Sequence, residues 1–406
     1  MARRLLVLAL AGILAAATLL AASAGAEARR QPLQGLGEGL ELIANIPYTG
    51  GTDMEFLTIK GRDYAFAGQW QSGSTPGALH AIDITDPEHP KEVATLGCSM
   101  SQADIQIAAD KKTLIMAADR SGGPESCLIV GKAGFMTVDI SNPRRPVPLG
   151  VAEIPRGSHN TTAHPTKPYV YNSDSELTPA GEIQIWSIKN PAKPKLVNTI
   201  PSMPHSPHDI GFNKDGTRAV TAAISHFDIF DTSDPENPEL LFTGQCPGCS
   251  ITHDAKFTPD ETHVVIGDEG GGGAPYPCPG GALYFYELQG TKQQPVPVLT
   301  SMFEPQELLI ARGQSGLGGC TSHVFDISDD GKQISISWYT AGTHYLDVSN
   351  PVGLTVGSLG VGVKELGWFI PENADSWSSK MYKGPYIYSN DLNRGFDVYK
   401  ITAERP

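Results

Sequence analysis

The sequence predicts an all-β protein, a single seven-bladed β-propeller closed by pairing of its N-terminal strand with its C-terminal blade. Three observations support this fold class. A short strand ending in a Pro-containing turn recurs seven times, a strand–turn–strand phrase precedes each copy, and a strand near the N terminus supplies the one that the last repeat lacks. Regular repetition of this kind is typical of propellers rather than of β-sandwiches.

The recurring phrase has the form Asp-Ile-Ser-Asn-Pro. Five clear copies begin at Asp83, Asp139, Ser187, Asp231 and Asp347. Two degenerate copies lie at residues 284–287 and 396–399. Most copies are followed by another short strand, so each repeat of roughly 50 residues holds four strands, as a propeller blade does.

The two ends of the chain predict how the ring closes. Residues 40–46 have the pattern of a fourth strand, as at residues 195–200, whereas the chain ends on a third-type strand at residues 395–402. We therefore expect the N-terminal strand to complete the last blade, which leaves no open sheet edges there. The predicted propeller domain spans residues 40–406.

The N terminus has the pattern of a secretory signal peptide. A basic start at Arg3 and Arg4 precedes an apolar stretch, which ends in Ala-x-Ala sites near residue 26. We predict a signal peptide over residues 1–26, a linker over 27–39, and secretion to the extracellular space or periplasm. No later segment approaches the length of about 20 apolar residues that a membrane-spanning helix needs.

The charge balance limits the partners. The chain has 30 basic and 44 acidic residues and a net charge of −14, which disfavours nucleic acid and anionic membrane surfaces. The remaining partner classes are a small molecule and an extracellular protein or glycan.

The chain has six cysteines, and an even number in an exported protein points first to disulfides. Their positions relative to the strands suggest that Cys98 pairs with Cys127. They also suggest that Cys246 or Cys249 pairs with Cys278, and that Cys320 takes the remaining partner. The alternative is that the Cys-Pro-Gly-Cys motif formed by Cys246 and Cys249 is a redox or metal pair.

Long connections are predicted on one face of the ring, at residues 69–77, 120–132, 270–281, 303–320 and 361–373. Loops gathered on one face of a rigid scaffold often carry function, although they can also be tolerated insertions. Trp70, Trp338 and Trp368 either frame this face or pack the blades.

Four histidines share one position in the repeat. His159, His208, His253 and His323 occupy the same point of the first strand in four consecutive blades. The other blades carry Asp53 or Met54, Ala103 and, by the same alignment, Asp375. First strands lie beside the axis of a propeller, so four imidazoles there could converge on a metal ion such as copper or zinc.

Further polar residues are expected near the four histidines. His205 could join them or act as an acid/base. Acidic residues that end second strands reach the same face and could orient the imidazoles; they are Asp119, Asp174, Asp268, Glu269 and Asp391. In the alternative interpretation the histidines are structural, and each ring hydrogen-bonds a neighbouring blade without any metal.

The repeated Asp-Ile-Ser-x-Pro phrase resembles that of the LVIVD-repeat family of exported bacterial propellers. More distantly, the layout resembles selenium-binding proteins and methanethiol oxidases, which are propellers with a histidine-lined metal site. This second resemblance favours copper over zinc and implies a metal-dependent oxidase of small molecules. The alternative function is a non-catalytic propeller that binds an extracellular protein or glycan.

Overall fold

A computed structural model describes residues 33–71, 77–98, 102–119, 132–174, 181–273, 280–314, 318–352 and 362–404. The predicted signal peptide at residues 1–26 lies outside these residues. The described chain forms seven antiparallel sheets, which are the blades of a propeller. The predicted fold class is confirmed.

The strands are short and follow one another at regular intervals. In chain order they are β1 (Gly35–Glu38), β2 (Leu40–Pro47), β3 (Gly51–Ile59), β4 (Arg62–Gln69), β5 (Ala78–Asp83), β6 (Lys91–Gly97), β7 (Gln102–Ile107), β8 (Thr113–Ala118), β9 (Gly134–Asp139), β10 (Val147–Glu153), β11 (Asn160–Ala163), β12 (Tyr169–Ser173), β13 (Glu182–Ser187), β14 (Lys195–Pro201), β15 (Asp209–Phe212), β16 (Arg218–Ala223), β17 (His226–Asp231), β18 (Glu239–Gly244), β19 (Thr252–Phe257), β20 (His263–Asp268), β21 (Leu283–Thr291), β22 (Gln294–Phe303), β23 (Phe325–Ile327), β24 (Gln333–Ser337), β25 (Thr343–Asp347), β26 (Lys364–Pro371), β27 (Ser376–Met381), β28 (Tyr386–Asp391) and β29 (Gly395–Ile401). A 3₁₀ turn spans Gly270–Gly273, and a short helix, α1, spans Gln306–Ala311.

Each blade uses its strands in sequence order, from the axis outwards. Blades one to five are formed by β3–β6, β7–β10, β11–β14, β15–β18 and β19–β22. Blade six contains β23–β26, and blade seven contains β27–β29. The first strand of each blade lines the central cavity.

The ring is closed as the sequence predicts. Strand β2 pairs with β29 as the outer strand of blade seven, with Leu40 opposite Ile401 and Pro47 opposite Gly395. The segment predicted as a linker adds a second contact, because β1 pairs with β26 and becomes a fifth strand of blade six. Two successive N-terminal strands therefore tie two adjacent blades together.

The prediction of a long connection at residues 361–373 is wrong. These residues contain β26, the fourth strand of blade six, which pairs with β25. Trp368, Phe369 and Ile370 within it are buried between the blades, so apolar burial holds this segment in the sheet. The connection between the third and fourth strands of this blade is correspondingly long.

The recurring phrase is a pair of consecutive side-chain turns. In its first position Asp139 accepts a hydrogen bond from the backbone N–H of Ser141 (2.9 Å), and Asp231 and Asp347 do the same. In its fourth position Asn142 accepts from the N–H of Arg144 (3.2 Å). Asp and Asn favour such turns because the short side chain reaches the backbone two residues ahead.

The blades pack face to face through apolar side chains. Between blades five and six, Phe285 and Phe303 meet Phe325 and Trp338 in one buried cluster, which also contains Trp368. Trp338 and Trp368 therefore pack the blades. No helix among the described residues is long and apolar enough to cross a lipid bilayer.

One expected disulfide pairing is wrong. Cys246 and Cys249 bond to each other, with Cα atoms 5.4 Å apart, so neither pairs with Cys278. The loop between β18 and β19 turns tightly here, because the N–H of Cys249 donates to the carbonyl of Cys246 (3.1 Å). Cys98 and Cys320 each take part in a disulfide as well. Cys127 and Cys278 lie outside the described residues, and the Cys98–Cys127 pair stays a prediction.

Candidate metal centre

The structure brings the four histidines of the shared register side by side around the axis. The ring centroids of His159 and His208 are 4.3 Å apart, those of His208 and His253 are 4.0 Å apart, and those of His253 and His323 are 4.1 Å apart. These rings form a continuous arc across blades three to six, which we call the histidine arc (His159, His208, His253 and His323).

Two members of the arc are oriented by the next blade. The Nδ1 of His208 lies 3.1 Å from the carbonyl oxygen of His253, and the Nδ1 of His323 lies 2.6 Å from the carbonyl oxygen of Trp377. Since a carbonyl only accepts, each Nδ1 carries the proton and each Nε2 keeps its lone pair. Orientation of a metal-binding imidazole by such a second contact is the usual arrangement at metal sites.

His159 closes the other end of the arc. Its Nε2 lies 2.7 Å from the Nε2 of His208, and its Nδ1 lies 3.4 Å from a carboxylate oxygen of Asp119. The side-chain amide nitrogen of Gln102, from blade two, lies 3.1 Å from the Nε2 of His159. The predicted orienting role of Asp119 is thus in place geometrically, whereas Gln102 was not expected from the sequence.

Glu269 joins the arc from the end of the second strand of blade five. Its carboxylate oxygens lie 3.8 Å from the Nε2 atoms of His253 and His323, and one of them accepts a hydrogen bond from the Tyr339 hydroxyl at 2.7 Å. One ligand atom each from His208, His253 and Glu269 falls within 4.8 Å of the others. Glu269, which the sequence suggested only as a residue that orients the imidazoles, is therefore close enough to bind the same ion as His208 and His253.

Burial keeps the imidazoles of His208, His253 and His323 neutral. It lowers the pKa of His208 and His253 well below the ordinary value, with the neighbouring histidines adding to the effect. It also lowers the pKa of His323 to about 3. Burial raises the pKa of Glu269 to about 7. Neutral imidazole is the form that binds a metal, so protons compete weakly for these nitrogens.

The donor set fits a transition-metal ion. Imidazole nitrogens suit zinc, copper and iron, whereas calcium and magnesium prefer sites made only of oxygen. Moreover, the Nδ1 of His253 is buried without a hydrogen-bond partner. His208, His253 and Glu269 would hold such an ion, with His159 or His323 completing the set.

A cavity of about 380 Å³ runs along the axis, and the histidine arc and Trp377 are among the residues that line it. Charged side chains from six blades surround it, and we call them the charged tier; they are Asp53, Glu55, Asp104, Asp209, Asp254, Lys256, Asp326 and Lys380. Lys380 pairs with Asp53 at 2.9 Å and with Glu55 at 3.1 Å. Lys256 pairs with Asp254. The six carboxylates outnumber the two ammonium groups, so the cavity favours positive charge.

Several predicted residues do not join the arc. His205 bonds the Ser225 hydroxyl at 2.9 Å and is not among the residues lining the axial cavity. Asp174 pairs with Arg156. Asp268 accepts from the N–H groups of Ser250 and Ile251.

Blade seven also departs from the sequence alignment. Asp391 accepts from the N–H of Asp375 at 2.8 Å, and neither residue is among those that line the axial cavity. Trp377 takes the position expected for Asp375, because its carbonyl receives the His323 contact as the carbonyl of His253 receives that of His208. A register shift between Ser376 and Ser378 in β27 places Trp377 as the like shift between Thr252 and Asp254 in β19 places His253.

No protein-family model matches the chain, and no curated protein is significantly similar to it in sequence. Solved structures do resemble it. The β-propeller domain of Cps50 (Swd1) from Myceliophteria thermophila has a TM-score of 0.63 at 11% identity, over 89% of this chain and 100% of that one. Hydrazine synthase from Kuenenia stuttgartiensis has a TM-score of 0.60 at 12% identity, over 84% and 93%.

A protein of unknown function from Desulfotomaculum acetoxidans has a TM-score of 0.53 at 15% identity, over 75% of this chain and 84% of that one. At these identities the similarity shows the fold alone.

Proposed function

We propose that this protein is an exported metalloprotein that binds one copper or zinc ion, with copper favoured, and acts as a metal-dependent oxidase of small molecules. The observation that carries the proposal is the histidine arc, in which His208 and His323 each have Nδ1 at a backbone carbonyl, so that the lone pair is on Nε2. The resemblance to histidine-lined propellers supports copper. The disulfide between Cys246 and Cys249 is compatible with export.

The arrangement supports chemistry at an open site. Four neighbouring blades supply imidazoles, and the remaining blades supply none at that level, so the ligands cover one side of an ion and leave the other side open. Catalytic metal sites keep such a position for substrate. When bound, a copper ion would supply redox chemistry; the chain's own residues bind it, orient the imidazoles and shield them from bulk water.

Metal titration of the purified full-length protein tests the proposal. We expect one equivalent of copper or zinc to be retained after removal of loosely bound ions. Replacing His208 and His253 together by alanine should abolish retention while the cooperative thermal transition persists. His205→Ala is the matched control, because His205 is close in sequence but lies outside the cavity, and it should retain the metal.

A second function has one specific observation in its favour. The contacts from His208 and His323 to carbonyls of the next blade would also hold the blades together without an ion. In that case the protein is a non-catalytic propeller that binds an extracellular protein or glycan. Less than stoichiometric metal in the wild type, together with a collapsed fold in the double variant, would support this function and refute the first.

A further inference from the structure

The open side of the histidine arc is lined by aromatic rings. Trp377 occupies the blade-seven position next to His323, with ring centroids 4.3 Å apart and planes inclined at 60°. It also lines the axial cavity. The arc therefore ends, at blade seven, in an apolar side chain rather than in another ligand.

A second tryptophan extends this surface. Trp70 follows β4 in blade one and meets Trp377 nearly edge-on, with centroids 5.6 Å apart and planes inclined at 71°. Both side chains are only partly buried, unlike Trp338 and Trp368 in the core. We call Trp70 and Trp377 the aromatic wall.

We propose that the aromatic wall binds the apolar group of a small neutral substrate whose donor atom reaches the ion held by the histidine arc. This inference rests on the proposed metal binding and adds the class of substrate. Partly exposed indole rings gain from covering by an apolar group, because apolar surface leaves water and ring faces and edges favour other rings. Trp377 lies beside His323, with ring centroids 4.3 Å apart, so the apolar group of the substrate would lie close to its donor atom.

Charge and size restrict the substrate further. A bound ion would repel a cationic substrate, and the carboxylates of Glu269 and of the charged tier would oppose an anionic one. The cavity of about 380 Å³ is near the lower end of the range for ligand pockets, which is roughly 300–1,000 Å³. A neutral molecule with one short apolar or aromatic substituent meets both conditions.

Two imidazole probes test the aromatic wall on the full-length protein. Calorimetric titration of the metal-loaded protein would compare imidazole with 4-phenylimidazole at a pH where both are neutral. An apolar group in a fitting pocket changes affinity by roughly tenfold or more, so we expect 4-phenylimidazole to bind at least about tenfold more tightly. Trp70→Ala should bring the two affinities close together without changing that of imidazole, and Trp70→Phe should restore most of the preference.

Parallel titrations of metal-free protein separate this inference from the proposed function. Without metal, 4-phenylimidazole should still bind, more weakly, and imidazole should not bind measurably. Retained preference in a protein that binds no metal would refute the metalloprotein and leave the aromatic wall supported. Normal metal binding with equal affinities for the two probes, or an unchanged preference in Trp70→Ala, would overturn the aromatic wall alone.

Discussion

Blades three to six and blades seven, one and two place different chemistry around one axis. The first group contributes the four rings of the histidine arc, with neighbouring centroids 4.0–4.3 Å apart. The second group contributes Trp377, Trp70 and Gln102 at the same end of the axis. Since the strand order is the same in these blades, the difference lies in the side chains and not in the scaffold.

This comparison shows how a repeated fold can build an asymmetric site. Identical backbone positions fix where each side chain enters the centre, and substitution along the ring divides the centre into a ligand half and an apolar half. The consequence is a site with an open side, which a ring of seven equivalent ligands would not have. Substitutions in the ligand half and in the apolar half should therefore have different effects.

The largest expected effect comes from removing one ligand. His208→Ala should weaken copper or zinc binding by more than roughly a hundredfold, whereas Gln102→Ala should weaken it by about tenfold, the lower end of the loss that removal of an outer contact causes. Competition with a chromophoric chelator measures both affinities. Equal losses in the two variants would show that the arc does not supply the ligands.

The next effect concerns acid stability of the metal-free protein. The unfolded chain takes up a proton on His323 near its ordinary pKa of 6.5, whereas the native chain does so only near 3. Stability therefore falls as the pH falls through this window, by at most about 1.4 kcal/mol per pH unit for this group. His323→Gln should show a correspondingly shallower decline in unfolding free energy.

The carboxyl of Glu269 has the opposite effect on how stability depends on pH. Its pKa is raised from 4.5 to about 7, so it favours the native state below 4.5 and loses this contribution as the pH rises through 7. The slopes of wild type and His323→Gln are therefore best compared below about pH 4.5, by denaturant unfolding at several pH values. Identical slopes would mean that His323 is not buried as the structure shows.

The smallest expected effect comes from extending the arc. Trp377→His places a fifth imidazole in blade seven and keeps the backbone carbonyl that orients His323. Because three or four ligands already satisfy the ion, metal affinity should change by less than about tenfold, while the preference for 4-phenylimidazole should disappear. A large gain in affinity would show that the arc alone leaves the ion poorly coordinated.

The fold was predictable because its determinants are local and repeated. The Asp and Asn side chains of the recurring phrase specify their own turns, and alternation in residues 40–46 identifies the strand that pairs with β29. Two local segments were mistaken. Strand β1 lacks apolar alternation because it lies exposed at a sheet edge, and β26 follows a connection longer than those of the other blades.

The candidate site was predictable only in part. The shared register identified His159, His208, His253 and His323, because equivalent positions in the first strands of neighbouring blades lie side by side around the axis. Trp377 was missed because β27 contains no histidine to mark the shared position. Glu269 was identified only as an outer residue, because its approach to His253 and His323 depends on how β20 ends next to a neighbouring blade.

The sequence by itself determined the number of blades, the closure of the ring and the set of histidines, because short-range turns and strand patterns repeat with a fixed period. Only the tertiary structure decided which ring nitrogens face one another, that Glu269 stands among them and that tryptophans line the open side. These features arise between blades that are distant in sequence, where packing and register shifts, rather than local preference, set the positions of side chains.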